Sequence, residues 1–303
     1  MRIGVIVPQG WTGEYDGWDA REAWARTEAV ARRSEALGFE SLWVFDHFHT
    51  TPDPTDEITF EAFTTLAALV PATERVRLGQ VVTCAAYRNP ALLAKMVSTL
   101  DVASDGRMEL GLGAGWKREE WEAYDYPFPG ARERLEILED TLEIVTRMMG
   151  EGRATYEGTH RSIRGAINLP KPLQRPRVPI MVGGNGQNVT WRLAARFAEE
   201  LNVDGMSTED MAAALPIIAS RCDEIGRDPA TLRVSAHIWR GDVERNQREP
   251  LDEILPAFRD LGVSRVIMLP KGIADSDEPL EELAEAARAA GCELAPEAIG
   301  AGA

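Results

Sequence analysis

Eight short β-branched runs, helix-length stretches between them and a length of 303 residues predict an α/β chain closed into a (β/α)8 TIM barrel. The runs are Arg2–Val7, Ser41–Phe45, Val76–Val82, Arg107–Leu112, Pro179–Val182, Glu200–Val203, Arg233–Ile238 and Arg265–Leu269. Several are almost continuously apolar, as parallel strands covered on both faces must be. An open doubly wound sheet is the alternative for the same alternation. Barrels run to ~250 residues or more as one unit, so residues 1–303 are expected to form a single domain.

The first strand begins at the N-terminus, Met1-Arg2-Ile3-Gly4-Val5, without the apolar run and small-residue cleavage site of a signal peptide. After the third strand, Asn89 is expected to cap a helix whose first residue is Pro90. Leu92, Leu93, Met96, Val97 and Leu100 then predict one apolar stripe, and Gly106 ends the unit. Leu135, Leu138, Leu142, Val145 and Met149, three and four apart, mark the fourth helix. Ser276 is expected to cap the last helix, with Leu280, Leu283, Ala284 and Ala287 facing inward. Two segments exceed simple connections: one after the fourth strand, about 115–130, and one before the fifth, about 150–177. The first carries Trp116, Trp121, Tyr124, Tyr126 and Phe128; the second is rich in glycine, proline and arginine. Insertions in βα loops sit over a barrel's active mouth, and both segments are expected there.

Charge narrows the class of partner. The chain has 33 Lys and Arg against 49 Asp and Glu, a net charge of −16, and no basic run. A nucleic acid or anionic membrane would be repelled, so a small-molecule substrate is expected. A phosphate-bearing cofactor is not excluded, because a few oriented backbone amides bind it locally. Cys84, Cys222 and Cys292 form no CxxC pair, which disfavours structural zinc and a disulfide framework. A cytoplasmic location is expected.

Residues just past the carboxyl ends of barrel strands face the active site. The second strand runs into Phe45-Asp46-His47-Phe48-His49. His47 there can exchange a proton near neutral pH, and the Asp46 carboxylate can orient or charge it. The bland reading is a loop-capping Asp and a merely hydrogen-bonded His. His47 and His49 also have the HxH spacing of metal-dependent barrels, but only His160 and His237 remain to complete a ligand set, so no metal is expected. The third strand leads into Thr83-Cys84, and the fourth ends Gly111-Leu112-Gly113-Ala114-Gly115-Trp116. Alternating glycines let backbone approach a planar ligand, or simply pack tightly. Gly183-Gly184-Asn185-Gly186-Gln187 precedes a helix carrying Trp191 and Leu193, and such a turn offers N–H groups to a phosphate.

Taken in order, Gly38–His47, Tyr87–Lys95, Thr99–Arg107 running into Gly111–Trp116, and the Gly183–Gly186 turn with Asn202 downstream resemble the luciferase-like monooxygenase superfamily, particularly its F420-dependent oxidoreductases. The resemblance spans nearly the whole chain. It implies a deazaflavin or flavin ring at the carboxyl mouth, backed by a bulge with a non-prolyl cis peptide at Val81–Val82. It implies that Asp46 and His47 lie beside the ring, with His47 as proton donor or anion stabiliser. Gly183, Gly184, Asn185 and Gly186 match the phosphate-binding turn, while Thr83, Cys84, Gly113 and Gly115 fall beside the cofactor. One departure matters. The sugar-phosphate dehydrogenases of this family place a glutamate where this chain has Trp116, with Glu119 and Glu120 only later. A sugar phosphate is therefore disfavoured, and Gln9, Trp11 and Trp116 suggest an apolar or planar substrate. The expected cofactor is coenzyme F420. Alternatives are FMN with molecular oxygen and a partner reductase, or a flavin-binding barrel without catalysis. The resemblance also implies a homodimer.

Overall fold

The computed structural model describes residues 1–239 and 249–295, in which the apolar runs pair as parallel strands and the amphipathic stretches cover them. In chain order the elements are β1 (Arg2–Ile6), α1 (Ala20–Leu37), β2 (Ser41–Val44), α2 (Ala62–Leu69), β3 (Arg77–Gln80), β4 (Thr83–Cys84), α3 (Pro90–Ala103), β5 (Leu110–Gly113), α4 (Arg118–Ala123) and α5 (Ala131–Met149). They continue with β6 (Ala154–Glu157), β7 (Ser162–Ala166), β8 (Ile180–Gly183), α6 (Thr190–Phe197), β9 (Glu200–Asp204), α7 (Thr208–Asp223), β10 (Arg233–Ile238), α8 (Leu251–Asp260), β11 (Arg265–Met268) and α9 (Glu278–Ala289).

The main sheet runs β3-β2-β1-β11-β10-β9-β8-β5-β4. Strands β3 and β4 are two pieces of one strand position, parted at the Val81–Val82 peptide, which is cis. The ring closes there: Leu78 N–H donates to the Arg107 carbonyl at 2.9 Å, and the Leu78 carbonyl accepts from Glu109 N–H at 2.8 Å. Eight strand positions thus form a closed barrel, as the alternation predicts, and the open sheet is ruled out. The third predicted run, Val76–Val82, is shortened because the ladder breaks at that bulge.

Local signals account for α3. The Asn89 side chain accepts from Ala91 and Leu92 N–H at 2.9 and 3.3 Å, and Pro90 follows as the first helical residue. Leu93, Val97 and Leu100 are buried, but Leu92 is 54% exposed. It lies about 100° around the helix from Leu93, off the stripe it was expected to join. The start of α9 also differs. Ser276 N–H closes a turn onto the Gly272 carbonyl, and Asp277 occupies the cap position with its carboxylate on Arg26 at 2.8 Å, so no side chain caps the helix. Leu280, Leu283, Ala284 and Ala287 are buried as expected.

The two insertions differ in place. Segment 115–130 contains α4 and follows β5, on the carboxyl side of the sheet. Segment 150–177 carries the antiparallel β6–β7 hairpin, held to α5 by Asp140, which accepts from His160 and Arg161 N–H and from the Tyr156 hydroxyl. It joins a helix to the next strand, so it returns to the amino ends of the strands. There Gln174 donates to Asp101 and to the Met108 carbonyl, each at 2.7 Å. The expectation that it covers the mouth is corrected by this connectivity.

Inside the amino end of the barrel, buried Arg265 donates to both oxygens of Glu109 at 2.8 and 3.0 Å and reaches Glu40 at 3.2 Å, while Arg77 also donates to Glu109. Burial pushes the Glu109 carboxyl up, but Arg265 and Arg77 outweigh it and bring it down to about 2. For Glu200, burial dominates, and Arg265 only partly offsets a rise to which Glu109 adds. No described helix is long and apolar enough to cross a membrane.

Candidate functional site

Parallel strands deliver their carboxyl ends to one face, and a cavity of about 290 Å³ opens there. Its wall comes from the ends of β2, β4, β5, β8, β9 and β10, with Trp11 from the loop after β1.

Val82 occupies a slot between strands. A Cβ on Gly113 would lie 2.6 Å from Val82 Cγ2, and one on Gly183 would lie 2.8 Å from Val82 Cγ1. On Gly111 it would lie 1.9 Å from the Gln80 carbonyl oxygen. Gly115, at φ +77°, would meet Cys84 Sγ at 2.6 Å and the Trp121 ring at 2.7 Å. The glycines admit Val82, Cys84 and Trp121, so close packing requires them, while Gly113 and Gly115 also line the cavity. Burial pushes the Cys84 thiol up to about 12, so it is an unionised part of the wall.

Asp46 and His47 are neighbours with separate partners. Asp46 accepts from Cys84 N–H at 2.9 Å and from both terminal nitrogens of Arg88 at 2.7 and 2.8 Å. Arg88 also donates to Glu61 at 2.6 Å and lies over the Phe63 ring at 4.5 Å. Asp46 therefore ties the end of β2 to β4 and does not orient the imidazole, contrary to expectation. That place belongs to Glu120 on α4, whose Oε2 lies 2.7 Å from His47 Nδ1. Its Oε1 accepts from Phe48 N–H at 3.0 Å, and the Tyr87 hydroxyl donates to Oε2 at 3.3 Å. Burial raises the Glu120 carboxyl, but the His47 hydrogen bond and charge, Phe48 N–H and Lys117 leave it below the usual carboxylate range. The His47 ring stacks on Trp11 at 4.3 Å and 6°, and Trp116 meets it edge-on at 5.8 Å.

Trp11 and Trp116 stand on the wall, but Gln9 does not. Its amide donates to the Phe45 and Phe60 carbonyls at 3.2 and 3.0 Å and accepts from Phe45 N–H at 2.6 Å, so it braces the end of β2. Gly183, Gly184 and Thr190 line the cavity, while Asn185 and Gly186 lie off its wall. Gly184, at φ +130°, donates its N–H to the Asn202 carbonyl at 2.9 Å. The Asn185 side chain clasps the backbone of Asp204, donating at 2.7 Å and accepting at 2.9 Å. Among the described residues, the backbone N–H groups of Asn185 and Gly186 have no acceptor.

Sequence reasoning missed Asp204, His237 and Trp239 on the wall. Trp239 donates to Asp204 at 2.5 Å and stacks on Phe45 at 5.7 Å and 3°. Their position at or just past the ends of β9 and β10 was the available signal. For Glu120 the only signal was an acidic residue in the α4 insertion.

Comparisons with known proteins agree with the fold. The model of the luciferase-like monooxygenase family matches residues 1–249. An uncharacterised protein of Mycobacterium tuberculosis is 28% identical over 82% of this chain and 88% of its own length. The F420-dependent hydroxymycolic acid dehydrogenase of the same organism is 30% identical over 71% of this chain and 58% of its own. In fold the chain is similar to an F420-dependent secondary alcohol dehydrogenase solved with an F420–acetone adduct, at a TM-score of 0.78 and 19% identity over 95% of this chain and 98% of that one.

Proposed function

This chain belongs to the luciferase-like monooxygenase family and is an oxidoreductase, and from that premise we propose that it uses coenzyme F420 to interconvert a small organic substrate and its reduced form at an alcohol, carbonyl or unsaturated carbon. The observation that carries the reading is an imidazole, His47, on the cavity wall beside the Val81–Val82 floor, backed by a buried carboxylate. F420-dependent activity in a relative supports the choice of cofactor.

The residues present fit such a group. Thr83 Oγ1 and Trp11 Nε1 are buried without partners among the described residues, and both residues line the cavity. Asn185 and Gly186 N–H, ahead of α6, have no acceptor among the described residues and could meet a phosphate. When bound, the deazaflavin would accept or supply a hydride at C5. The protein's part is to orient, to exclude water and to move a proton. Asp46 and Arg88 hold the β4 segment in place, and Trp11, Trp116 and Trp239 wall the substrate side with aromatic surface. With Nδ1 occupied by Glu120, Nε2 of His47 is the nitrogen left to take or return the proton of a substrate oxygen. The same family resemblance supports a homodimer.

Titrating the purified protein with F420, and separately with FMN, while following tryptophan fluorescence tests the reading. Saturable micromolar quenching by F420 is expected. Binding of FMN alone would move the chain to oxygen-using chemistry, with a reductase as partner.

A further inference from the structure

We propose that Glu120 is the positioning residue of the site, and that it sets the tautomer of His47. The inference rests on His47 as the proton-handling group only for its effect on turnover; the tautomer itself follows from geometry. Oε1 of Glu120 is taken by Phe48 N–H at 3.0 Å, which fixes the carboxylate plane and turns Oε2 to His47 Nδ1 at 2.7 Å. A carboxylate only accepts, so Nδ1 must carry the hydrogen and a neutral ring presents the Nε2 lone pair. Trp11 stacks within 6° of the ring plane and opposes rotation away from this alignment.

The other charged and titratable groups nearby leave this pairing intact. Asp46 is bound by Arg88 and Cys84 N–H. Lys117 donates to the Thr50 carbonyl at 2.9 Å, and Tyr87 donates to the same Oε2 at 3.3 Å. His49 has its Nδ1 on the Thr50 carbonyl at 3.0 Å and lies 3.9 Å from Glu120 Oε1. Only Glu120 meets the imidazole of His47 along a hydrogen-bond direction among the described residues. An acceptor at Nε2 suits removal of a proton from a substrate hydroxyl, and the protonated ring suits its return in the reverse direction.

Glu120→Gln separates this role from packing. The amide oxygen still accepts from Phe48 N–H, so the amide nitrogen faces Nδ1 and donates to it. The ring must then carry its hydrogen on Nε2 and loses its acceptor toward the cavity. A carboxylate-to-amide exchange that installs the wrong tautomer lowers kcat by about 10⁴ in the Ser-His-Asp arrangement. Here a loss of at least about 10² is expected, the low end for general acid–base catalysis.

The test begins with ¹⁵N-histidine spectra of the full chain without cofactor, with His47 assigned by its loss in His47→Gln. The expected result is Nδ1–H in the parent and Nε2–H in Glu120→Gln, with F420 affinity within about two-fold by tryptophan quenching. An Nε2–H tautomer in the parent, which needs no variant to fold, would overturn the proposal. An unchanged tautomer in Glu120→Gln would overturn it as well. A tautomer that inverts while turnover stays at the parent level upholds Glu120 in its role and removes His47 from the proton step, so the two failures are distinguishable.

Discussion

Gly113→Ala tests the slot that seats Val82. The added Cβ would lie 2.6 Å from Val82 Cγ2, about 1 Å inside the ~3.5–4.0 Å separation of carbons in contact. Val82 has little room to retreat, because its Cγ1 already fills the space a Cβ would take at Gly183, at 2.8 Å. Overpacking of this kind costs about 1–3 kcal/mol. Taking about 2 kcal/mol, with an unfolding entropy of about 2 cal/mol/K per residue, the melting temperature should fall by about 3 °C. The decisive assay is a double-mutant cycle in denaturant with Val82→Ala. Removing both Val82 methyls opens the slot, so Gly113→Ala should then cost at least about 1 kcal/mol less, well beyond the ~0.5 kcal/mol of independent sites. If the cost is the same in both backgrounds, the glycine is not there for Val82, and only the ligand-facing reading of Gly113 is left.

Three further expectations follow from the same geometry. Asp46→Ala leaves Arg88 half-buried with Glu61 as its remaining carboxylate, and should cost about 3 kcal/mol, the lower end for a broken buried pair; a loss under about 1 kcal/mol in urea would refute the anchoring role. Trp116 is 57% exposed, so Trp116→Ala should change stability by no more than about 0.5 kcal/mol while raising substrate KM; an unchanged KM would remove it from the substrate wall. Glu109 has its carboxyl lowered from 4.5 to about 2, so its contribution to stability is complete above the ordinary value and is lost as pH falls from 4.5 through about 2. Glu200, with its carboxyl raised, works in the opposite sense and contributes only while protonated. Stability measured across that acid range should therefore depend less on pH in Glu109→Gln than in the parent, and equal slopes would contradict the assignment.

What sequence alone determined is what neighbours along the chain control. Continuous apolar runs imply strands buried on both faces, and period and capping place α3 after Asn89, so the barrel was legible, as was the strand end at which a cavity opens. The ordered motifs also located the cis peptide and put His47 on the cavity wall. What tertiary structure decided is which atoms meet across long separations. Glu120 lies 73 residues from His47, yet its carboxylate takes the hydrogen bond that adjacent Asp46 was expected to make. Asp46 is sequestered by Arg88, 42 residues away, and Gln9 is drawn off the wall by Phe45 and Phe60. The glycines at 111, 113 and 115 read as a ligand face or as tight packing, and only the fold shows that Val82, Cys84 and Trp121 occupy the space their side chains would take. A sequence names the groups able to donate, accept or clash; hydrogen bonds and contacts act over a few ångströms, so only the fold selects the pairs.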